Sequence, residues 1–81
     1  MMEQRMLRVG DVIKSPLYHC HELVTAIDKV GSQYHYTTYW IEGIEGEVQV
    51  KMNNEDLKVG AYYVLYNMFD MQRRLAKRSK L

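Results

Sequence analysis

Residues 23–41, Leu-Val-Thr-Ala-Ile-Asp-Lys-Val-Gly-Ser-Gln-Tyr-His-Tyr-Thr-Thr-Tyr-Trp-Ile, decide the fold class of this chain. Two runs rich in β-branched and aromatic residues, Leu23 to Val30 and Gln33 to Ile41, lie on either side of Gly31-Ser32. Such side chains favour strands, and a Gly-Ser pair suits a two-residue hairpin turn. The stretch therefore predicts a long β-hairpin.

Three shorter runs flank this hairpin and predict further strands. Gly10-Asp11 predicts a turn, and Val12-Ile13, which follows it, predicts a first short strand. Glu47 to Met52 alternates polar and apolar residues at the strand period, and Ala61 to Tyr66 follows a glycine. Together with the hairpin, these runs make five predicted strands.

Asn53-Asn54 predicts a hairpin turn between the fourth and fifth strands, because asparagine tolerates the positive φ that such turns need. Five short strands at this spacing predict a mainly β fold, in which an antiparallel sheet curls into a small barrel. The apolar positions of the strands predict the residues inside it: Val12, Leu23, Ile27, Val48, Val50 and Val64.

The sequence does not determine which face of the third strand is buried. One face carries Tyr34, Tyr36, Thr38 and Trp40, and the other carries His35, Thr37, Tyr39 and Ile41. Both faces mix apolar and polar groups. If Tyr36 and Trp40 lie in the core, Tyr39 and His35 lie on the surface.

The charge of the chain is polarised along its length. All ten acidic residues lie before residue 71, where they face six basic ones, so the first seventy residues carry a formal charge of −4. The last eleven residues hold five bases and no acid, for a charge of +5. A basic end on an acidic body is typical of partner binding.

The basic end changes from strand to helix periodicity. Asn67 is a suitable N-cap, and Asp70 lies where a carboxylate interacts favourably with the helix dipole. Met68, Met71 and Leu75 fall on one helical face. The pattern predicts a basic helix from Asn67 to Lys77, within a tail of residues 67–81 that follows a single domain of residues 1–66.

The length and composition of the chain bound its function. Eighty-one residues are few for an enzyme with a supported cleft, so we expect a non-enzymatic protein without a cofactor. The single cysteine, Cys20, indicates a reducing compartment. Met1 to Gly10 lacks the apolar core of a secretory signal, and no run is long enough for a membrane span. We expect a cytoplasmic protein without a membrane partner.

A family resemblance supports the barrel. The stretch Val9 to Tyr18, then Leu23 to Ile27, then Tyr39-Trp40-Ile41 before Gly43 and Gly46, resembles SH3-like small barrels of the KOW and Tudor kind over residues 8–66. In that family a Gly-Asp-hydrophobic strand leads to a loop, a long second strand and a bent third. The resemblance implies binding of nucleic acid or protein tails, and it carries over no catalytic residue. His19-Cys20-His21 stands where such barrels often have glycines.

Three side-chain clusters are candidates for chemistry. The candidate metal ligands are His19, Cys20, His21 and His35. Their spacing matches no zinc motif, so we predict no metal site. The acids Glu42, Glu45 and Glu47 are best interpreted as a solvated loop. The chain has seven tyrosines; about half are needed for packing, and Tyr18, Tyr39 and Tyr63 are the surface candidates.

Two functional hypotheses remain. The first is a module that binds nucleic acid or a nucleic-acid-associated protein through its basic helix and surface tyrosines. The second is a protein-interaction or inhibitor module that docks a single protein target through its aromatic, acidic face; a stand-alone module of this length would suit a virus such as a phage, or a mobile element. The oligomeric state stays open. The candidate binding residues are Arg73, Arg74, Lys77, Arg78, Lys80, Tyr18, Tyr39 and Tyr63.

Overall fold

A computed structural model of the protein describes residues 4–41 and 48–78. It contains β1 (Asp11–Lys14), β2 (His21–Val30), β3 (Gln33–Trp40), β4 (Gln49–Asn53), α1 (Asn54–Val59), β5 (Tyr63–Asn67) and α2 (Met68–Arg78). The five strands form one antiparallel sheet in the order β4-β3-β2-β1-β5. The mainly β prediction is confirmed. In the described part of the chain the sheet stays open, because β4 and β5 are its opposite edges.

The predicted hairpin of β2 and β3 is confirmed. Val30 pairs with Gln33, so Gly31 and Ser32 form a two-residue turn, and Gly31 takes the left-handed φ of 63° that favours glycine. The register shifts between Val24 and Ala26. Such an irregularity increases strand twist, which bends the long β2.

The core lies on one face of the sheet. Its buried members are Leu7, Ile13, Val24, Tyr36, Met52 and Leu57. The sequence did not determine which face of β3 is buried. Tyr36 and Thr38 are fully buried, so the buried face is the one that carries Tyr36 and Trp40. Tyr39 and His35 lie on the opposite face, where both are half-buried.

The phenol of Tyr36 satisfies its polar group inside this core. Its hydroxyl donates to Asn54 Oδ1 at 2.6 Å and accepts from the backbone N–H of Met6 at 2.9 Å. Asn54 in turn donates to the carbonyl of Gln4 at 2.9 Å. Buried polar groups are costly without partners, so this network holds the N-terminal segment against the core.

The predicted turn at Asn53-Asn54 is wrong, because these residues begin α1. Asn53 has a φ of −107° and caps the helix in a capping box, in which its side chain accepts from Asp56 N–H and Asp56 accepts from Asn53 N–H. Leu57 places its side chain in the core. The strands on either side of α1 therefore reach opposite edges of the sheet instead of pairing with each other.

The predicted core residues have different outcomes. Ile27 and Val50 pack partly buried against the core, and Val48 is half-buried. Val12 is buried and Leu23 is half-buried, but both lie on the face opposite the core, so their predicted place inside it is wrong. Val64 is 45% exposed, so its predicted burial is wrong. It lies on the edge strand β5, whose only partner strand in the described sheet is β1. An edge strand lacks the second neighbour that covers a central one.

Neither helix in the described part of the chain has the length and apolar character to cross a membrane.

Candidate functional site

Asn67 caps the basic helix α2, as predicted, and it also ties the helix to the sheet. Asn67 Oδ1 accepts from the N–H groups of Phe69 at 3.0 Å and Asp70 at 3.2 Å. Its Nδ2 donates to Asp11 Oδ1 at 2.8 Å and to the carbonyl of Val9 at 3.1 Å. One side chain therefore both starts the helix and joins it to the beginning of β1.

A close approach at Gly10 reinforces this junction. Gly10 has a φ of 92°, and its carbonyl accepts from the N–H of Met68 at 2.8 Å. A Cβ at Gly10 would lie 2.5 Å from the Cδ2 of Phe69, well inside van der Waals contact. The position therefore needs glycine both for its backbone conformation and for the ring above it.

Beyond this junction α2 is largely exposed to solvent. None of its eleven residues is buried, and its main contact with the sheet is β5. The helix is thus supported at its first turn and open to partners along the rest of its length.

The predicted basic residues of α2 occupy one continuous arc. Arg73, Arg74, Lys77 and Arg78 are all exposed. Their spacing of i, i+1, i+4 and i+5 covers about 140° of the helix circumference, because successive residues are rotated by about 100°. Lys80, the fifth predicted base, lies outside the described residues, as do Glu42, Glu45 and Glu47.

One acid lies within this basic arc. Asp70 forms ion pairs with Arg8, at 2.8 Å, and with Arg73. Hydrogen bonds from Arg8 and then Arg73 hold the pKa of the Asp70 carboxyl below its usual value, and Asp70 raises the pKa of Arg8. Arg74, Lys77 and Arg78 form no ion pair with any other described residue, so they are the most available cations of the arc.

A groove of about 480 Å³ runs between β5 and α2. Its apolar lining consists of Val64, Leu65, Tyr66, Met71 and Leu75, which are 42–57% exposed. Arg74 and Arg78 line the same groove, together with Arg8 and Asp70. The sequence pattern identified the apolar stripe of the helix, but not the strand that faces it.

The three predicted tyrosines do not form one cluster. Tyr39 and Tyr63 lie on the outer face of the sheet, opposite the core, as their pairing with Leu23 and Lys14 indicates. Tyr18 lies in the loop after β1, where its ring stacks on that of Tyr62 with centroids 6.4 Å apart. The expected aromatic surface therefore divides between two places.

Tyr66 also lies on the outer face, although the sequence did not identify it as a surface tyrosine. It pairs with Val12, which pairs with Leu23 and then Tyr39, so these four side chains form a row across the sheet. In a regular strand, residues three apart point to opposite faces. The register shift in β5 leaves Leu65 as an extra residue and brings Tyr66 to the same face as Tyr63.

The histidines are separated. His35 pairs with Asp28, which lies seven residues, or about 23 Å, along β2 from His21. His19 precedes β2 and is exposed. Within residues 4–41 and 48–78, no group of three or more His, Cys, Asp or Glu side chains has an arrangement that suits a metal ion.

Comparison of the chain with protein-family models, with curated proteins and with solved structures finds no match.

Proposed function

We propose that this protein is a non-enzymatic module that binds single-stranded nucleic acid. The observation that carries the proposal is the exposed basic arc of α2, which begins directly beside an aromatic sheet face. The arc binds backbone phosphates, and Tyr39, Tyr63 and Tyr66 stack on bases. Half-exposed aromatic rings next to a basic surface are the usual combination for single strands, because each base has a face that can stack.

The acidic charge of the rest of the chain agrees with this placement. The first seventy residues repel phosphates as a whole, so a phosphate surface must keep its cations together and away from the body. The exposed arc of α2 keeps four cations together on one surface. Asp70 neutralises only the first turn of the arc, because it pairs with Arg8 and Arg73 and leaves Arg74, Lys77 and Arg78 for the ligand.

The test neutralises the arc by replacing Arg73, Arg74, Lys77 and Arg78 with glutamine. We expect the affinity for a fluorescent 20-nucleotide strand, measured by anisotropy at low salt, to fall by about 100-fold or more. The logarithmic salt slope should decrease by about 2 to 3, since each lost contact with a single strand removes about 0.7. Thermal unfolding should change little, because all four side chains are exposed.

The matched control replaces Lys51 and Lys58, two exposed lysines outside α2, with glutamine. This variant should keep at least a third of the affinity. If the unmodified protein binds neither single strands nor duplexes with a salt-dependent affinity, the proposal is wrong. A duplex preference would contradict the stacking role of the tyrosines and leave only the phosphate contacts.

We also propose that the fold is related to SH3-like small barrels. The support is the single antiparallel order of five strands and the register shift that bends the long β2. This relation is independent of the binding proposal, because a fold does not determine a function.

A second candidate function, protein docking, is favoured by the apolar groove. Phosphate binding does not explain a set of exposed apolar side chains: Val64, Leu65, Met71 and Leu75. In the described sheet no strand pairs with the outer edge of β5, and Arg74 and Arg78 line the groove beside this strand. The groove therefore suits an extended acidic segment that alternates with apolar residues, adds to β5 and packs against α2.

A displayed library of ten-residue peptides tests this second function. We expect selection to enrich peptides that alternate apolar and acidic residues. Leu75→Ser should weaken their binding at least tenfold, whereas Val59→Ser, at an exposed apolar residue of α1, should leave it unchanged. Enriched peptides that bind Leu75→Ser as well as the unmodified protein would place docking elsewhere and contradict this candidate.

A further inference from the structure

A second cavity lies on the core side of the sheet, apart from β5 and α2. It is bordered by the loop between β1 and β2, by the ends of β3 and β4, and by α1, and its volume is about 420 Å³. Most of its lining is apolar or aromatic: Leu17, Tyr18, Trp40, Val50, Val59 and Tyr62. The volume lies within the range of small-molecule sites.

Three aromatic rings border this cavity. Tyr18 and Tyr62 stack at an interplanar angle of 29°, and Trp40 lines the cavity from the end of β3. Aromatic ring faces carry partial negative charge and attract organic cations, with tryptophan the most favourable of the three types. The rings thus provide an attractive surface for a positive charge that is not strongly hydrated.

A buried carboxylate lies in the same lining. Glu22 on β2 is only 2% exposed, and its Oε1 accepts from the hydroxyl of Thr38 at 2.8 Å. Tyr62 interacts with this carboxyl group, and Asp56 adds a second acid to the lining. Burial and then the hydrogen bond to Glu22 raise the pKa of Tyr62, so the phenol stays neutral.

The cavity contains acids without bases. Among the described residues that line it there is no lysine, arginine or histidine. A buried carboxylate that no base neutralises is stabilised when a cation enters beside it, because the low dielectric strengthens their attraction. A hard metal ion needs several oxygen ligands, whereas apolar walls and aromatic rings accommodate an organic cation.

We propose that this cavity binds a small amphiphilic amine in its ammonium form. The ammonium group lies between the aromatic rings and the carboxylate of Glu22, and the apolar part of the ligand contacts Val50, Met52 and Val59. The proposal does not depend on nucleic-acid or protein binding, because none of these residues belongs to β5 or α2.

Trp40 makes the test direct, because it is the only tryptophan of the chain and lies in the cavity wall. Its fluorescence is measured while the protein is titrated with 2-phenylethylamine, and separately with 2-phenylethanol, a neutral molecule of nearly the same shape. We expect the amine to change the emission with a Kd at least tenfold lower than that of the alcohol. Equal affinities, or no response to the amine, would overturn the proposal.

Variants locate the charge that causes this preference. Glu22→Gln should reduce the preference for the amine to less than threefold, while Glu55→Gln, at an exposed acid of α1 outside the cavity, should preserve it. Because Glu22 is buried, Tyr18→Leu provides a second variant at a 53% exposed loop residue. It should weaken amine binding about fivefold without unfolding the protein, and unchanged affinity in Tyr18→Leu would contradict the role of the rings.

Discussion

Replacement of Ile13 by alanine is expected to lower the free energy of unfolding by about 4 kcal/mol. Ile13 is fully buried in β1 and belongs to the core cluster with Val24 and Tyr36. The change removes apolar contacts and leaves a cavity that a sheet paired on both sides of β1 cannot easily close. Urea unfolding followed by circular dichroism measures the loss.

Val64→Ala is the matched control, because Val64 pairs with Ile13 in the neighbouring strand but is 45% exposed. We expect this variant to lose about 1 kcal/mol or less, since the removed atoms are already partly in contact with water. If the two variants lose equal stability, β5 is more deeply buried than the structure places it.

Asn67→Ala is expected to lower the free energy of unfolding by about 3 kcal/mol. About 1 kcal/mol comes from the lost helix cap of α2. The rest comes from Asp11, a 2% exposed carboxyl group that loses the Nδ2 donor of Asn67, because leaving a buried acceptor unsatisfied costs about 1 to 3 kcal/mol. Urea unfolding gives the total, and the helical signal in circular dichroism reports the fraying of α2.

Asn53→Ala provides the comparison for this second prediction. Asn53 is also an asparagine N-cap, but its bonds to Asp56 are exposed and it joins no buried carboxylate. Its loss should cost only about 1 kcal/mol. A cost for Asn67→Ala that is no larger than this would show that the bond between α2 and Asp11 contributes nothing to stability.

Local sequence signals were sufficient for the β2–β3 hairpin and for α2. In the hairpin, the β-branched runs and the Gly31 turn act within a few residues of each other, so no distant contact is needed to recognise them. In α2, the Asn67 cap and the helical spacing of Met68, Met71 and Leu75 are likewise signals between near neighbours. The basic arc follows from that helix and from the residue order alone.

A local signal was present but misinterpreted at α1. Asn53 with Asp56 three residues later is a capping pair, yet two adjacent asparagines also suit a turn. Six residues are too few to establish a helical period, and the preceding strand ends directly at the cap. The burial of Leu57 in the core, a tertiary contact, decides in favour of the helix.

The residue order is enough to predict the strand-rich class, the central hairpin and the charged helix, because propensity, turn residues and periodicity act between near neighbours. Contacts between distant segments determine which face of β3 is buried and leave Val64 exposed, and the extra residue in β5 brings Tyr66 to the same face as Tyr63. Such contacts also bring Tyr18, Glu22, Trp40 and Tyr62 from separate segments to one cavity. These features depend on which strand lies at an edge and on where the register shifts, and both result from packing across the whole sheet.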